Sequence, residues 1–172
     1  VRETRNAASA TIGGAEIEVA AAVWRGLQLT GSMSWLNATY DSYVAVGPGN
    51  VTGDAAGHHL NNAPEWSGSG SAVYRFPARQ AGSMFVRSDV SWQSRVFFTP
   101  FNDAIETQPA YGLAHLRAGF EPRSHRWEIS AYTRNLLNRA YVSGTLNPDM
   151  LPAILGRPGE PRQSGVQVII HP

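Results

Sequence analysis

The chain has 172 residues, of which 42% are hydrophobic and 16% charged, and its 14 arginines and 13 acidic residues give a net charge of +1. This length allows one ordinary domain. A near-neutral chain lacks the basic surface of nucleic-acid-binding proteins, and the absence of cysteine excludes disulfide frameworks and thiolate zinc sites. The longest apolar run, residues 19–24, is far shorter than the roughly 18 residues of a membrane helix. The 17 glycines and 11 prolines favour a β-rich chain with many turns.

Alternation of apolar and polar residues predicts seven strands, at residues 15–23, 27–35, 68–76, 84–92, 114–120, 127–133 and 166–170. No residue on the apolar faces is charged. The opposite faces carry nine charged residues: Glu16, Glu18, Arg75, Arg87, Asp89, Arg117, Glu121, Glu128 and Arg134. The apolar faces are rich in Ala and Gly, with aromatics near the strand ends, whereas a soluble core favours larger side chains. A face against lipid needs only to be uncharged, with aromatics at its interfaces.

The connections between these strands alternate between short turns and long loops, at about residues 41–64, 96–109 and 140–161. This alternation is typical of up-and-down outer-membrane barrels. The hairpins are consistent with it, because pairs such as Val23 with Leu27 and Phe120 with Ile129 keep both apolar faces on one side. We therefore predict an all-β fold, namely an antiparallel up-and-down transmembrane β-barrel segment of about seven strands.

Several segments carry a family resemblance. The segment Asn135-Leu136-Leu137-Asn138-Arg139-Ala140-Tyr141 follows a predicted strand, and Pro161-Arg162 precedes the last one. Upstream, Gly14-Ala15-Glu16-Ile17-Glu18 lies in the first strand, and Leu60-Asn61-Asn62-Ala63-Pro64 ends a long loop. In order and spacing these segments resemble the C-terminal strands of TonB-dependent outer-membrane receptors, over about residues 6 to 170.

The resemblance implies a barrel of about 22 strands in the bacterial cell outer membrane, with an N-terminal plug inside it. It implies energised import of a scarce ligand, most typically a ferric siderophore, and no enzymatic activity. The implied partners are outer-membrane lipid, the imported ligand, and TonB with its inner-membrane partners, which engages the TonB box. We expect residues 1–172 to be the C-terminal portion of such a barrel, with the plug and N-terminal strands outside this chain. Both edge strands would then pair with missing neighbours, because hydrocarbon does not tolerate unpaired edges.

The resemblance also implies that the long loops hold the ligand. The candidate ligand-binding residues are His58, His59, Asn102, Tyr141, Asn147, Asp149 and Arg157. His58 and His59 lie near Asp54, and imidazole suits transition metals. Neighbouring side chains of an extended segment point apart, however, so we interpret them as exposed loop histidines and predict neither a metal site nor a cofactor.

A second candidate set is a charged cluster on the lumen face, formed by Arg87, Asp89, Arg117, Glu128 and Arg134. Paired carboxylates can serve glycoside hydrolysis. The sequence supplies no nucleophile with an orienting partner, so we interpret the cluster as ion pairs on the barrel wall.

Two other functions stay open at this point. One is a soluble β-sandwich that binds carbohydrate on its tryptophans, and it must bury its apolar face against a second sheet. The other is a small stand-alone outer-membrane barrel with a structural role. Such a barrel needs an even strand count of at least eight, and an eighth strand would have to lie in residues 2–11.

Overall fold

The computed structural model describes residues 9–47, 52–146 and 154–171. The β-strands in these ranges are β1 (Ser9–Trp24), β2 (Leu27–Ser42), β3 (Val44–Val46), β4 (Thr52–Asp54), β5 (Trp66–Ala78), β6 (Gly82–Gln93), β7 (Val96–Phe97), β8 (Thr107–Gln108), β9 (Tyr111–Pro122), β10 (Trp127–Arg134), β11 (Val142–Leu146), β12 (Leu155–Pro158) and β13 (Gln163–Ile170). A short 3-10 turn, Ala104–Glu106, precedes β8. Within the described residues, no helix has the length and apolar character needed to cross a membrane.

Seven long strands form one antiparallel sheet in the order β1-β2-β5-β6-β9-β10-β13. The predicted up-and-down order is therefore confirmed. The strands are longer than predicted, since β1 and β2 each have 16 residues. Ser9–Thr11, part of the segment in which an eighth strand was sought, belong to β1. The six short strands pair as β3-β4, β7-β8 and β11-β12 within the long connections, where no strand was predicted.

The registers confirm most predicted hairpin pairs and correct one. Phe120 faces Ile129, as predicted. In the first hairpin Leu27 pairs with Trp24 rather than with Val23, because β1 has a register shift between Ala22 and Trp24. Such a bulge adds one residue to a strand and reverses the side on which the next residue points. It puts Trp24 on the same face as Leu27.

The apolar face of the sheet is uncharged and open. Its side chains are strongly exposed in every part of the sheet, for example Ile17 at 63%, Val90 at 51% and Val168 at 58%. Within the described residues no second sheet covers this face, since the other sheets are two-stranded ribbons in the connections. A continuous apolar surface of this kind indicates a membrane or partner surface. It does not fit the sandwich, which buries this face.

Aromatic side chains border the apolar face at both ends. The two rows are Trp35, Trp66 and Trp92 near the long loops, and Trp24, Tyr74, Phe76, Phe120 and Trp127 near the short turns. The rings of Trp35 and Trp66 have centroids 6.5 Å apart. Trp66 and Phe76 are ten residues apart on β5, which is about 33 Å along the strand and about 25 Å after a tilt of about 40°. This height matches the apolar band of outer-membrane barrels.

The buried side chains gather at the loop end of the sheet. Of the described residues that are nearly inaccessible, only Phe85 and Ser130 lie in the middle or turn-side part of the wall. The others are Ala38, Ala45, Ala55, Val96, Glu106, Gln108 and Asn135, at or beyond the outer strand ends. The chain therefore builds its compact part from the loops, and the wall stays open on both faces.

The two faces of β5 should tolerate charge differently. Ala72 lies on the apolar face and Ser71 on the polar face, near the middle of the strand. We expect Ala72→Arg to lower the free energy of unfolding in lipid vesicles by about 2–4 kcal/mol, because a guanidinium near the bilayer centre loses its hydration. Ser71→Arg is the matched control and should have a much smaller effect. Urea titration of the native polypeptide in vesicles measures both, and equal effects would contradict a lipid-facing surface.

Candidate functional site

Three long loops stand at one end of the sheet. The first loop is residues 43–65, the second is 94–110 and the third is 135–162. Each carries one two-stranded ribbon: β3-β4 in the first, β7-β8 in the second and β11-β12 in the third. The ribbons satisfy backbone groups locally and so extend the loops beyond the wall as ordered hairpins.

The first and second loops are joined by backbone-directed hydrogen bonds. The Asn102 side chain accepts from the His59 amide at 2.8 Å and donates to the His59 carbonyl at 3.0 Å. It therefore acts on His59 as a neighbouring strand would. His58 Nδ1 lies 2.8 Å from the Pro100 carbonyl oxygen, so that ring nitrogen carries the proton and donates. The His59 ring stacks on Phe97 at a centroid distance of 6.0 Å.

The second and third loops are joined in a similar way. Buried Gln108 accepts from the Val142 amide at 2.7 Å. The Tyr141 ring stacks on Tyr111 at 4.6 Å. The same ring covers Gly159, where a Cβ would collide with it. Any larger residue at Gly159 would force the third loop away from the wall.

The third loop is fixed at its base by two asparagines of the recognised motif. Asn135 and Asn138 both adopt positive φ, at 46° and 49°, a conformation that asparagine tolerates better than most residues. Asn135 donates to the carbonyls of Arg139 and Glu160 and accepts from the Arg139 amide, at 2.8–3.0 Å. Asn138 accepts from the Arg162 amide at 3.0 Å. The two side chains connect the start of the loop to its return.

A cavity of about 200 Å³ lies where the three loops meet. Its lining residues are Asn62, Pro64, Gln93, Val96, Phe98, Tyr111, Val142 and Ser143. Amide, hydroxyl and aromatic groups surround it, a mixture that suits a small polar ligand or ordered water.

Two pairs of serines lie on the polar face of the wall, where β2 and β5 are neighbours. Ser32 lies 2.8 Å from Ser69, and Ser34 lies 2.8 Å from Ser67, oxygen to oxygen across β2 and β5. A groove of about 280 Å³ runs over them, with Glu16 and Tyr111 at its sides. Small hydroxyl side chains leave room here for another polypeptide segment or a ligand.

The predicted charged cluster consists of two neighbouring ion pairs, since Arg87 faces Arg117 across β6 and β9, and one outlying arginine. Arg87 makes a bidentate contact with Asp89 at 2.7–2.9 Å. Arg117 donates to Glu128 at 3.1 Å and to Gln167 at 2.6 Å, across β9, β10 and β13. Arg134 lies over the Tyr132 ring at 5.5 Å instead and pairs with none of the others. Each carboxylate is held by a guanidinium, which fits a polar wall better than general acid–base chemistry.

The structure separates the predicted ligand-binding residues into three groups. His58, His59, Asn102 and Tyr141 make contacts between or within loops. Arg157 lies exposed on β12, and no described residue forms an ion pair with it. Asn147 and Asp149 lie outside the described residues. Ligand binding by any of them stays a prediction.

Sequence reasoning missed the buried Glu106 and Gln108. Both belong to the second loop, and their relative exposures are 3% and 6%. A polar residue in a loop gives no sign of burial, so the only signal was a group of aromatic residues earlier in the same loop, Phe97, Phe98 and Phe101. No cluster of three or more His, Asp or Glu side chains able to hold a metal is found in the described ranges.

Comparison with known proteins identifies the family. Residues 2–136 match the family described as TonB dependent receptor-like, beta-barrel. The chain belongs to this family. The resemblance seen in its sequence segments and the predicted fold class are both confirmed.

Solved structures of receptors share the fold. The ferric yersiniabactin uptake receptor FyuA from Yersinia pestis superposes with a TM-score of 0.78 at 18% identity, over 94% of this chain and 23% of that protein. The siderophore receptor PiuA from Acinetobacter baumannii gives 0.72 at 13% identity, over 92% and 21%. BauA, the ferric preacinetobactin receptor of the same organism, gives 0.70 at 17% identity, over 92% and 22%.

This member of the TonB-dependent receptor family therefore spans less than a quarter of the length of those receptors. A comparison with curated proteins finds no match. The family is one of receptors and transporters, and the structural likeness establishes the fold of the wall.

The Asn102 contact should hold the first and second loops together. We expect Asn102→Gly to raise hydrogen exchange at the His59 amide about tenfold or more, because two hydrogen bonds worth about 1 kcal/mol each are lost. Asn62→Gly is the matched control. Asn62 has the same φ of 55° as Asn102 but no side-chain hydrogen bond with a described residue. Exchange measured by mass spectrometry on the native polypeptide tests this, and similar exchange in both variants would contradict it.

Proposed function

We propose that this chain forms wall and extracellular loops of a bacterial outer-membrane receptor that imports a ferric siderophore, driven by TonB through a TonB box outside the chain. The protein acts as a receptor and transporter, without enzymatic chemistry. The observation that carries the proposal is the open, uncharged apolar face between two aromatic rows about 25 Å apart. A lipid bilayer matches both the height of this face and its lack of charge.

The two edge strands of the sheet are evidence that the chain is part of a larger barrel. β1 and β13 each pair on one side only within the described residues. In a hydrocarbon layer, an unpaired edge of this length would leave a row of backbone groups without partners, at several kcal/mol each. We therefore propose that both edges pair with further strands of a closed barrel. A stable, monodisperse, water-soluble monomer of these 172 residues would contradict the proposal.

The contacts between the loops favour a role in ligand binding. The described residues of the loops are joined to one another by hydrogen bonds and a ring contact, which lowers the entropy lost when a ligand binds across them. The likeness to FyuA, PiuA and BauA favours a siderophore as the ligand class, since their names describe siderophore receptors. We propose the exposed guanidinium of Arg157, on β12 of the third loop, as a contact for an anionic ferric complex.

Cell fractionation and uptake test the function. The native polypeptide should appear in the outer-membrane fraction of iron-starved cells. Those cells should accumulate radioactive iron from at least one member of a panel of ferric hydroxamate, catecholate and mixed siderophores. Deletion of the gene, or removal of TonB, should abolish that uptake. Location in a soluble fraction, or uptake unaffected by the deletion, would overturn the proposal.

The role of Arg157 has its own test. We expect Arg157→Gln to weaken binding of the transported ferric siderophore about tenfold, since a charge-assisted hydrogen bond contributes about 1.5–3 kcal/mol. Arg139→Gln is the control, because Arg139 is also exposed in the third loop but lies at its base near the wall. Equilibrium binding by quenching of intrinsic fluorescence measures both variants. An equal change in the two variants would indicate a general charge effect.

A further inference from the structure

Positive charge is concentrated in the three short turns, at the end of the sheet opposite the loops. The turns carry four exposed arginines, Arg25, Arg79, Arg123 and Arg126, and no acidic residue. The three long loops differ, since residues 43–65, 94–110 and 135–162 together contain six acidic residues and four arginines. The turn end is therefore the basic end of the wall.

These four arginines have no counter-ion within the described part of the chain. No carboxylate of a described residue lies within 4 Å of any of their guanidinium groups. Glu121, two residues before Arg123, is engaged by Arg75 at 3.3 Å and by His125 at 2.7 Å, and Glu128, two residues after Arg126, is engaged by Arg117 at 3.1 Å. The turns thus present positive charge that an external anion can neutralise.

The fold brings two of the arginines together. The amide of Arg123 donates to the Ala81 carbonyl at 3.2 Å, which joins the second turn to the third. Arg123 Nη2 also lies 3.5 Å from the Arg79 carbonyl oxygen. This contact places the Arg123 guanidinium beside the backbone of Arg79, so both positive side chains start from one small part of the turn end, where one anion could attract both. Successive turns follow every second strand, so they are spaced by about 9.5 Å along the sheet edge.

The arginines lie where lipid headgroups would be. Arg25 directly follows Trp24 and Arg126 directly precedes Trp127, and both tryptophans belong to the aromatic row that ends the apolar face. Interfacial aromatics lie at headgroup level, so a guanidinium one residue further out reaches the phosphate layer. A freely diffusing phosphate would not need this placement beside the apolar band.

We propose that the three turns form a binding surface for the phosphate groups of anionic phospholipids in the membrane leaflet that faces them. Arg79 and Arg123 hold one headgroup between them, while Arg25 and Arg126 bind headgroups beside their tryptophans. This inference rests on the proposed membrane location of the chain and adds a preference for anionic lipids. Lipids with a net negative headgroup should therefore collect around this part of the barrel.

The test measures lipid preference directly. The native polypeptide is placed in phosphatidylcholine vesicles that contain spin-labelled phosphatidylglycerol or spin-labelled phosphatidylcholine, and the immobilised fraction of each is compared. We expect a clear preference for phosphatidylglycerol that weakens in high salt. The double variant Arg79→Gln and Arg123→Gln should reduce the preference at least about fivefold, since each basic side chain near an anionic surface contributes about a fivefold affinity.

A matched double variant controls for the loss of charge. Arg95→Gln and Arg139→Gln remove two arginines from the loop end and should leave the preference unchanged. Equal preference for the two lipids in the wild-type protein, or an equal change in both double variants, would overturn the inference. Heat-modified gel migration confirms that each variant folds. Siderophore binding in detergent, measured on the same samples, separates failure of this inference from failure of the proposed function.

Discussion

Strand register is the constraint on which the rest of the structure depends. Apart from the shifts at the two ends of the β1–β2 pair, each described pair of neighbouring strands keeps one register. Leu29, Ala72 and Ser88 therefore share one face, while Thr30, Ser71 and Asp89 share the other. A shift of β6 by one residue would carry Arg87 and Asp89 onto the apolar face. A cost of about 2–4 kcal/mol for each such arginine in lipid makes a shifted sheet a poor competitor.

The wall and the loops are stabilised by different interactions. The wall relies on its backbone ladder and buries very few side chains. The loops rely on side chains that hydrogen-bond to backbone groups where a neighbouring strand would otherwise do so. Asn102 bonds in this way to the backbone of His59, and Gln108 to the amide of Val142. Each such contact joins residues 34 to 43 positions apart in the sequence, so each closes a long stretch of chain at an entropy cost that pairing of the strands below reduces.

The sequence predicted the sheet far better than the loops. Alternation of apolar and polar residues is a local signal, and it located all seven long strands. Together with the requirement that a hairpin keep both apolar faces on one side, it also predicted pairs such as Phe120 with Ile129. The bulge at Trp24 escaped it, because an extra residue leaves no mark in composition. The role of Asn135 as the base of the third loop also escaped it. That role depends on carbonyls of Arg139 and Glu160, which only the folded chain brings near.

Under the proposed function, the contacts between the loops affect how a ligand can be captured. The first loop is joined to the second through His58 and Asn102, and the second to the third through Gln108, while Tyr141 of the third loop stacks on Tyr111 of β9. A displacement of one loop must break contacts with its neighbour, so the three loops respond to a ligand as a unit. Such a unit loses little entropy on binding but adapts poorly to ligands of different shape. Selectivity would then depend on side chains that no loop contact uses, and among the described loop residues exposed Arg157 is one of these.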